Sequence, residues 1–217
     1  MFNLAILNQG GPNGSRVGNS FFQLAGDQTK LTSHPVNVPA GTTDGDITIY
    51  CISISGFGTA EVNGPGALTL IKHRDNTGDG NSYSWYSRIA SSEPASYSFT
   101  TTISTHATIM AVTYRGPTTA TAGDLNLTFP GGDTVQADSM TTSSGVLLSY
   151  FCAYKASSGS LTIDTEPTGL TQIDFTGEWH NAVALYEKLD QNSSPTDNHQ
   201  AEYSAGTLPV GLQIMLT

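Results

Sequence analysis

A hard divalent cation asks a short loop for oxygen side chains at alternate positions and a glycine at the bend. Residues 75–81 read Asp-Asn-Thr-Gly-Asp-Gly-Asn and imitate that start. The acidic residue expected six places after Gly80 is instead Tyr86, and no helical pattern flanks the loop. Asp and Gly equally build a bare hairpin turn, so no metal is predicted. The most enzyme-like string is Glu178-Trp179-His180, because an acid beside an aromatic ring can work on a sugar stacked there. Glu166, Asp174, Glu178, Glu187 and Glu202 could supply the paired carboxylates of glycoside hydrolysis. They show no regular acidic strand pattern. Trp85 and Trp179 are candidates either for a sugar-binding patch or for the core and rim of a β-sandwich. The histidines, His34, His73, His106, His180 and His199, are scattered and read as surface or strand-end residues.

Other chemistries lack their motifs. There is no G-x-S-x-G nucleophile elbow, no Gly-Lys pair for a phosphate loop, no H-E-x-x-H and no C-x-x-C. No enzyme activity and no cofactor are therefore predicted. Cys51 and Cys152 fall inside two strand-like runs. They suit buried free thiols packed as small apolar groups, with a disulfide as the alternative. The N-terminus has a short apolar start without a basic leader, so no signal peptide is read and a reducing compartment is expected. On that reading the sequons at Asn13, Asn126 and Asn192 carry no glycan.

These residues need a scaffold, and composition says which kind. Of 217 residues only 12% are charged, while 23 are Ser, 29 Thr and 23 Gly. Helix formers are scarce, so strands and turns are expected. The formal charge is −10 with eight Lys and Arg in total, and they form no stripe. Phosphate recognition through counterion release needs such a stripe, so no nucleic-acid partner is expected. An anionic membrane is disfavoured for the same reason, and no apolar run reaches spanning length.

Strand signals recur about every ten residues from residue 35 onward. They are 45–55, 67–71, 82–90, 95–103 and 107–116, with a further strand-like DLNLTF in the connection at 116–134. Residues 45–55 are apolar on both faces, as in a strand covered on both sides. Tyr83, Trp85, Ser87 and Ile89 share one face of 82–90.

The second half then repeats the first. Residues 36–53 align with 135–152, and 65–71 with 167–173. Tyr86 falls opposite Tyr186, and Ile109-Met110 opposite Ile214-Met215. In this register Cys51 meets Tyr150 and Cys152 meets Ser53. The fold class is all-β: a jelly-roll-like β-sandwich of two pseudo-repeated halves, about 36–116 and 135–217, in one domain spanning 35–217. Residues 1–34, broken by Gly10, Gly11, Pro12 and Gly14, read as an N-terminal arm or loose lead strand. It either closes one end of the core or reaches a neighbouring subunit. In the second case Phe2, Leu4, Ile6, Phe21, Phe22 and Leu24 are the candidate subunit or capsid contacts.

Four segments in order, VPAGTTDGDITIYCISISG, PGALTLI, YSWYSRIASSEPASYSF and ATIMAVTYRG, resemble a recurring segment of bacteriophage structural proteins. Arg88-Ile89-Ala90 followed by Glu93-Pro94-Ala95-Ser96-Tyr97 is its most specific part. Leu68 stands where that pattern usually has Trp. The resemblance covers 36–116 well and the second half loosely. It implies a non-enzymatic virion part, often a trimer. One form is a head decoration (cement) protein on the capsid exterior, made in the host cytoplasm and bound to the major capsid protein. The other is a tail-associated module that binds a host glycan. The pattern's residues look structural, and no site residue follows from them.

Overall fold

Alternating β-branched and aromatic side chains favour extended backbone that packs on both faces, and strands take up most of this chain. The computed structural model describes residues 14–23, 30–55, 62–74, 81–127, 133–141, 144–154, 160–177, 181–192, 195–204 and 207–217. The strands of the first half are β1 (Ser15–Gln23), β2 (Leu31–Asn37), β3 (Ile47–Ser55), β4 (Val62–Asn63), β5 (Thr69–Arg74), β6 (Asn81–Ile89) and β7 (Ser96–Arg115). Those that follow are β8 (Ala120–Ala122), β9 (Thr134–Ala137), β10 (Gly145–Tyr154), β11 (Ile163–Thr165), β12 (Thr171–Thr176), β13 (Asn181–Gln191), β14 (His199–Tyr203) and β15 (Thr207–Leu216). No described helix is long and apolar enough to cross a membrane.

Two large antiparallel sheets carry the same strand order. One runs β1-β7-β3-β6-β5, the other β8-β15-β10-β13-β12. Each has a small companion sheet: β2 and β4 flank the first part of β7, and β9 and β11 flank β14. The large sheets face each other across an apolar layer from both halves, including Ile49, Trp85, Val112, Leu148, Tyr150 and Leu185. On the far face of the first large sheet, Tyr50, Ile52, Tyr86, Phe99 and Ile109 make a second core. On the far face of the other, Phe151, Tyr186, Ala201 and Tyr203 make a third. The halves thus share one core, and each also encloses its own. Every residue of β3 is buried, as its two apolar faces require.

Within the stretch read as an arm, Ser15–Gln23 is an edge strand in register with β7, from Ser15↔Arg115 to Gln23↔Thr108. Three readings of the sequence are corrected. Residues 95–103 and 107–116 belong to one 20-residue strand, β7, which passes from the small sheet into the large one with a register shift against β2. In the connection, the strand is Ala120–Ala122, and Asn126 of DLNLTF makes an isolated bridge to Gly211. The Ile109-Met110 to Ile214-Met215 match is out of register. Met110 points into the shared core, whereas Met215 points out of it, toward Met140 and Leu147. A strand's side chains alternate with period two, so an odd slip exchanges its faces. Pairing with β3 and β10 instead places Met110 beside Cys51 and Leu212 beside Tyr150.

Candidate functional site

The residues that carry the recurring pattern sit at one end of the first half, where β3 begins and β6 and β7 end. Asp46 lies just before β3 and Arg115 closes β7. The antiparallel pairing Ile47↔Tyr114 brings them together. Arg115 Nε donates to Asp46 Oδ1 and Nη2 to Oδ2, both at 2.9 Å. Asp46 Oδ2 also accepts from the Thr43 N–H at 2.8 Å. Burial opposes ionisation of Asp46, but the hydrogen bonds from Arg115 and Thr43 and the Arg115 charge outweigh it and lower its pKa.

A second staple joins Arg88, Glu93 and Tyr97. Arg88 Nε donates to Glu93 Oε1 at 3.0 Å, and the Ser91 N–H donates to the same oxygen at 2.9 Å. The Tyr97 hydroxyl donates to Glu93 Oε2 at 2.6 Å. Here too burial raises the Glu93 pKa, while the Tyr97, Ser91 and Arg88 contacts more than reverse it. Both carboxylates are committed as acceptors, which fixes the β6–β7 connection and the entry to β3. Neither is presented to a substrate.

The other candidates disperse. Trp85 is fully buried in the shared core, stacked on Tyr83 and edge-on to Tyr150, so it makes no sugar platform. Glu187 is buried and accepts from the Tyr114 hydroxyl, with Arg16 Nη1 3.3 Å from its other oxygen. Asp174 accepts from Asn19 Nδ2 at 3.0 Å, and the exposed Glu202 accepts from Thr165 at 2.8 Å. Glu166 is exposed. His34 is buried rather than at the surface, and so is His199. His73 Nδ1 lies 2.8 Å from Ser84 Oγ. Among the described residues no group of three or more His, Cys, Asp or Glu is placed to hold a metal. Cys51 and Cys152 are free and buried. Phe2, Leu4, Ile6, Leu24, residues 75–80 and residues 178–180 lie outside the described residues.

Phe21 and Phe22 are adjacent on β1, and alternation sends them to opposite faces. Phe22 packs on the first half's own core. Phe21 is 59% exposed and lines an open cleft of about 560 Å³ with Gln23, Ser160, Leu161, Phe175, Thr176 and Gly177. None of these lining residues is titratable. Those described residues offer apolar contact and neutral hydrogen bonds, the Ser160 and Thr176 hydroxyls among them, and include no carboxylate, imidazole or amine.

What sequence reasoning missed is the bridge between the halves. Arg16, Asn19 and Gln23, three and four residues apart on β1, reach Glu187, Asp174 and Thr176 of the other large sheet. The polar residues of Ser15–Gln23 were its available signal, but the partners lie more than 150 residues away in sequence. No protein-family model, curated protein or solved structure matches the chain.

Proposed function

We propose that this protein is a non-enzymatic structural component of a bacteriophage virion. Its role is that of a head decoration protein, bound to the major capsid protein on the particle's exterior as a homo-oligomer, with a trimer expected. The supporting observation is what the pattern-bearing residues do. Asp46, Arg115, Arg88, Glu93 and Tyr97 all bond to one another or to nearby backbone, and so build a scaffold rather than a reaction site. The mechanism is mechanical. Each copy adds interface across a seam between capsid subunits, a standard interface burying about 1,600 Å², and many symmetric copies multiply the effect. Phe21, exposed on an edge strand, is the described member of the proposed contact set that is free to meet a neighbour. A net charge of −10 suits a position away from packaged DNA.

One feature favours the second reading, a tail-associated module that binds a host glycan. It is the cleft beside Phe21 and Phe175, whose described lining is uncharged and whose rings could stack on a sugar. Antibody-gold labelling of intact virions carrying this protein separates the two. Gold over the head is the expected result. Gold confined to the tail replaces decoration with adhesion, and unlabelled, antibody-accessible particles overturn the virion reading.

A further inference from the structure

We propose that Cys51 and Cys152 are the site of a disulfide that locks the two halves together across their shared core. Cys51 lies at the middle of β3 and Cys152 on β10, the central strands of the two large sheets. Both are fully buried in the one apolar layer to which both halves contribute. Each projects into that layer from its own sheet, and Cys152 acts electrostatically on Cys51 there. Apolar neighbours surround them: Trp85 and Met110 beside Cys51, Val183 and Val210 beside Cys152. The two-residue offset that separates the cysteines in the repeat is even, so both still face the one shared layer. Each half therefore supplies one sulfur to a junction that neither could make alone.

The chemistry is thiol–disulfide exchange with a small-molecule disulfide such as oxidised glutathione. One cysteine thiolate attacks it, forming a mixed disulfide and releasing one glutathione thiol. The second cysteine thiolate then attacks the mixed disulfide and releases the other. The two cysteines lose two protons and two electrons, and the glutathione disulfide is reduced to two thiols. Thiolate is the reactive form, and burial, reinforced by Cys152, raises the Cys51 pKa well above its ordinary value. The folded core therefore protects the pair in either redox state, and the bond forms as the chain folds. Bonding draws the sulfurs to about 2 Å, so β3 and β10 must approach locally. The large aromatics beside them resist that approach. The sequence separation, 51 to 152, closes a loop of about 100 residues, the range where a cross-link most restricts the unfolded chain.

The test is to unfold the full chain with reductant and refold it with reduced glutathione alone or with a reduced and oxidised mixture. Intact mass, thiol count in denaturant and peptide mapping then report the bond. The expected oxidised product is folded, lacks free thiols, is lighter by about two mass units and yields a Cys51–Cys152 peptide. Its thermal midpoint is higher by about 5–15 °C, an increase that reduction in denaturant removes. The Cys51→Ala/Cys152→Ala variant shows no glutathione dependence. Two thiols surviving oxidative refolding, glutathione adducts in place of the internal bond, or a bonded form with a lower midpoint each overturn the proposal. If refolding fails, the same mass and thiol count on chain expressed in an oxidising bacterial compartment decides it.

Discussion

Among the described residues, the first half of the chain is pinned internally by ion pairs and the second by amides and hydroxyls, although their large sheets share one strand order. In the first half the Asp46–Arg115 and Arg88–Glu93 pairs hold the strand ends. Counted through the β3–β10 register, Gly145 stands at the equivalent of Asp46. A Cβ there would lie 2.0 Å from the Leu216 carbonyl oxygen, so the backbone has closed over the space that a clamp would need. The second half uses Thr196 and Gln213 instead. Thr196 Oγ1 accepts from the Met140 N–H at 2.8 Å, and Gln213 Nε2 donates to the Asp197 carbonyl at 2.7 Å. The repeat therefore preserves the apolar layers, which tolerate exchange of similar shapes. It does not preserve the polar fastenings, which depend on particular partners.

Writing one half's residue into the other breaks the comparison most strongly at Gly211, which stands where the first half has Ile109. A Cβ on Gly211 would sit 1.8 Å from the Gln136 carbonyl oxygen, where the small sheet crosses the large one. Gly211→Ile is expected to cost more than the ~3 kcal/mol of ordinary overpacking, leaving little soluble folded protein. Ile109→Ala should cost about 2–5 kcal/mol and still fold. Expression with chemical denaturation measures both, and a Gly211→Ile chain of normal stability would remove the crossing constraint.

Acid should strike the first half harder. His34 is buried, with Thr101 and Thr105 hydroxyls at Nε2, no partner at Nδ1, and Phe22 and His106 beside it. Burial, then His106, lowers its pKa to about 4. The unfolded chain then binds the extra proton between about pH 6.5 and 4. Stability is therefore full above about 6.5 and is lost as the pH falls toward 4, by up to about 3 kcal/mol. His199 is shifted in the same direction, by burial first, with Asp197 opposing the shift. Amide exchange at pH 4.5 should accelerate along β2 and the first part of β7 before β9 and β14. A His34 titration midpoint near 6.5, read by NMR, would contradict this.

Asp46→Ala removes the acceptor for Arg115 and for the Thr43 N–H, and should cost about 1–3 kcal/mol. Arg115→Ala, at a half-exposed and solvent-screened side chain, should cost less than Asp46→Ala. Equal losses in denaturant titrations would make the clamp a simple surface pair. The smallest effect belongs to Arg88→Ala, about 0.5–1 kcal/mol, since Tyr97 and the Ser91 N–H still hold Glu93. A larger loss in the same titration would make Arg88 the key of that staple.

The apolar framework was legible because periodicity fixes which face a strand buries. The blocks 65–71 with 167–173 and Tyr86 with Tyr186 keep both register and face. The match at Met110 and Met215 failed because similar residue types were aligned three positions out of register, and an odd slip exchanges the faces. The break read after residue 103 was turn composition inside a strand that bends without ending. The contacts of β1 with Glu187, Asp174 and Thr176 were not legible, since nothing local encodes which distant carboxylate or hydroxyl an edge strand will meet. As for a site, Asp174, Glu187, Glu202 and Trp85, which suggested sugar chemistry, make structural contacts instead, and the cleft at Phe21 joins described residues from opposite halves.

The central structural claim is that the two halves form one folding unit through the core they share. Equilibrium unfolding of the full chain in denaturant, followed in parallel by tryptophan fluorescence and by far-ultraviolet circular dichroism, tests it directly. One transition with coincident midpoints is expected, because separating the halves would expose Trp85, Tyr150, Val112 and Leu185 to water. Two separated transitions, with one half outlasting the other, would contradict the account.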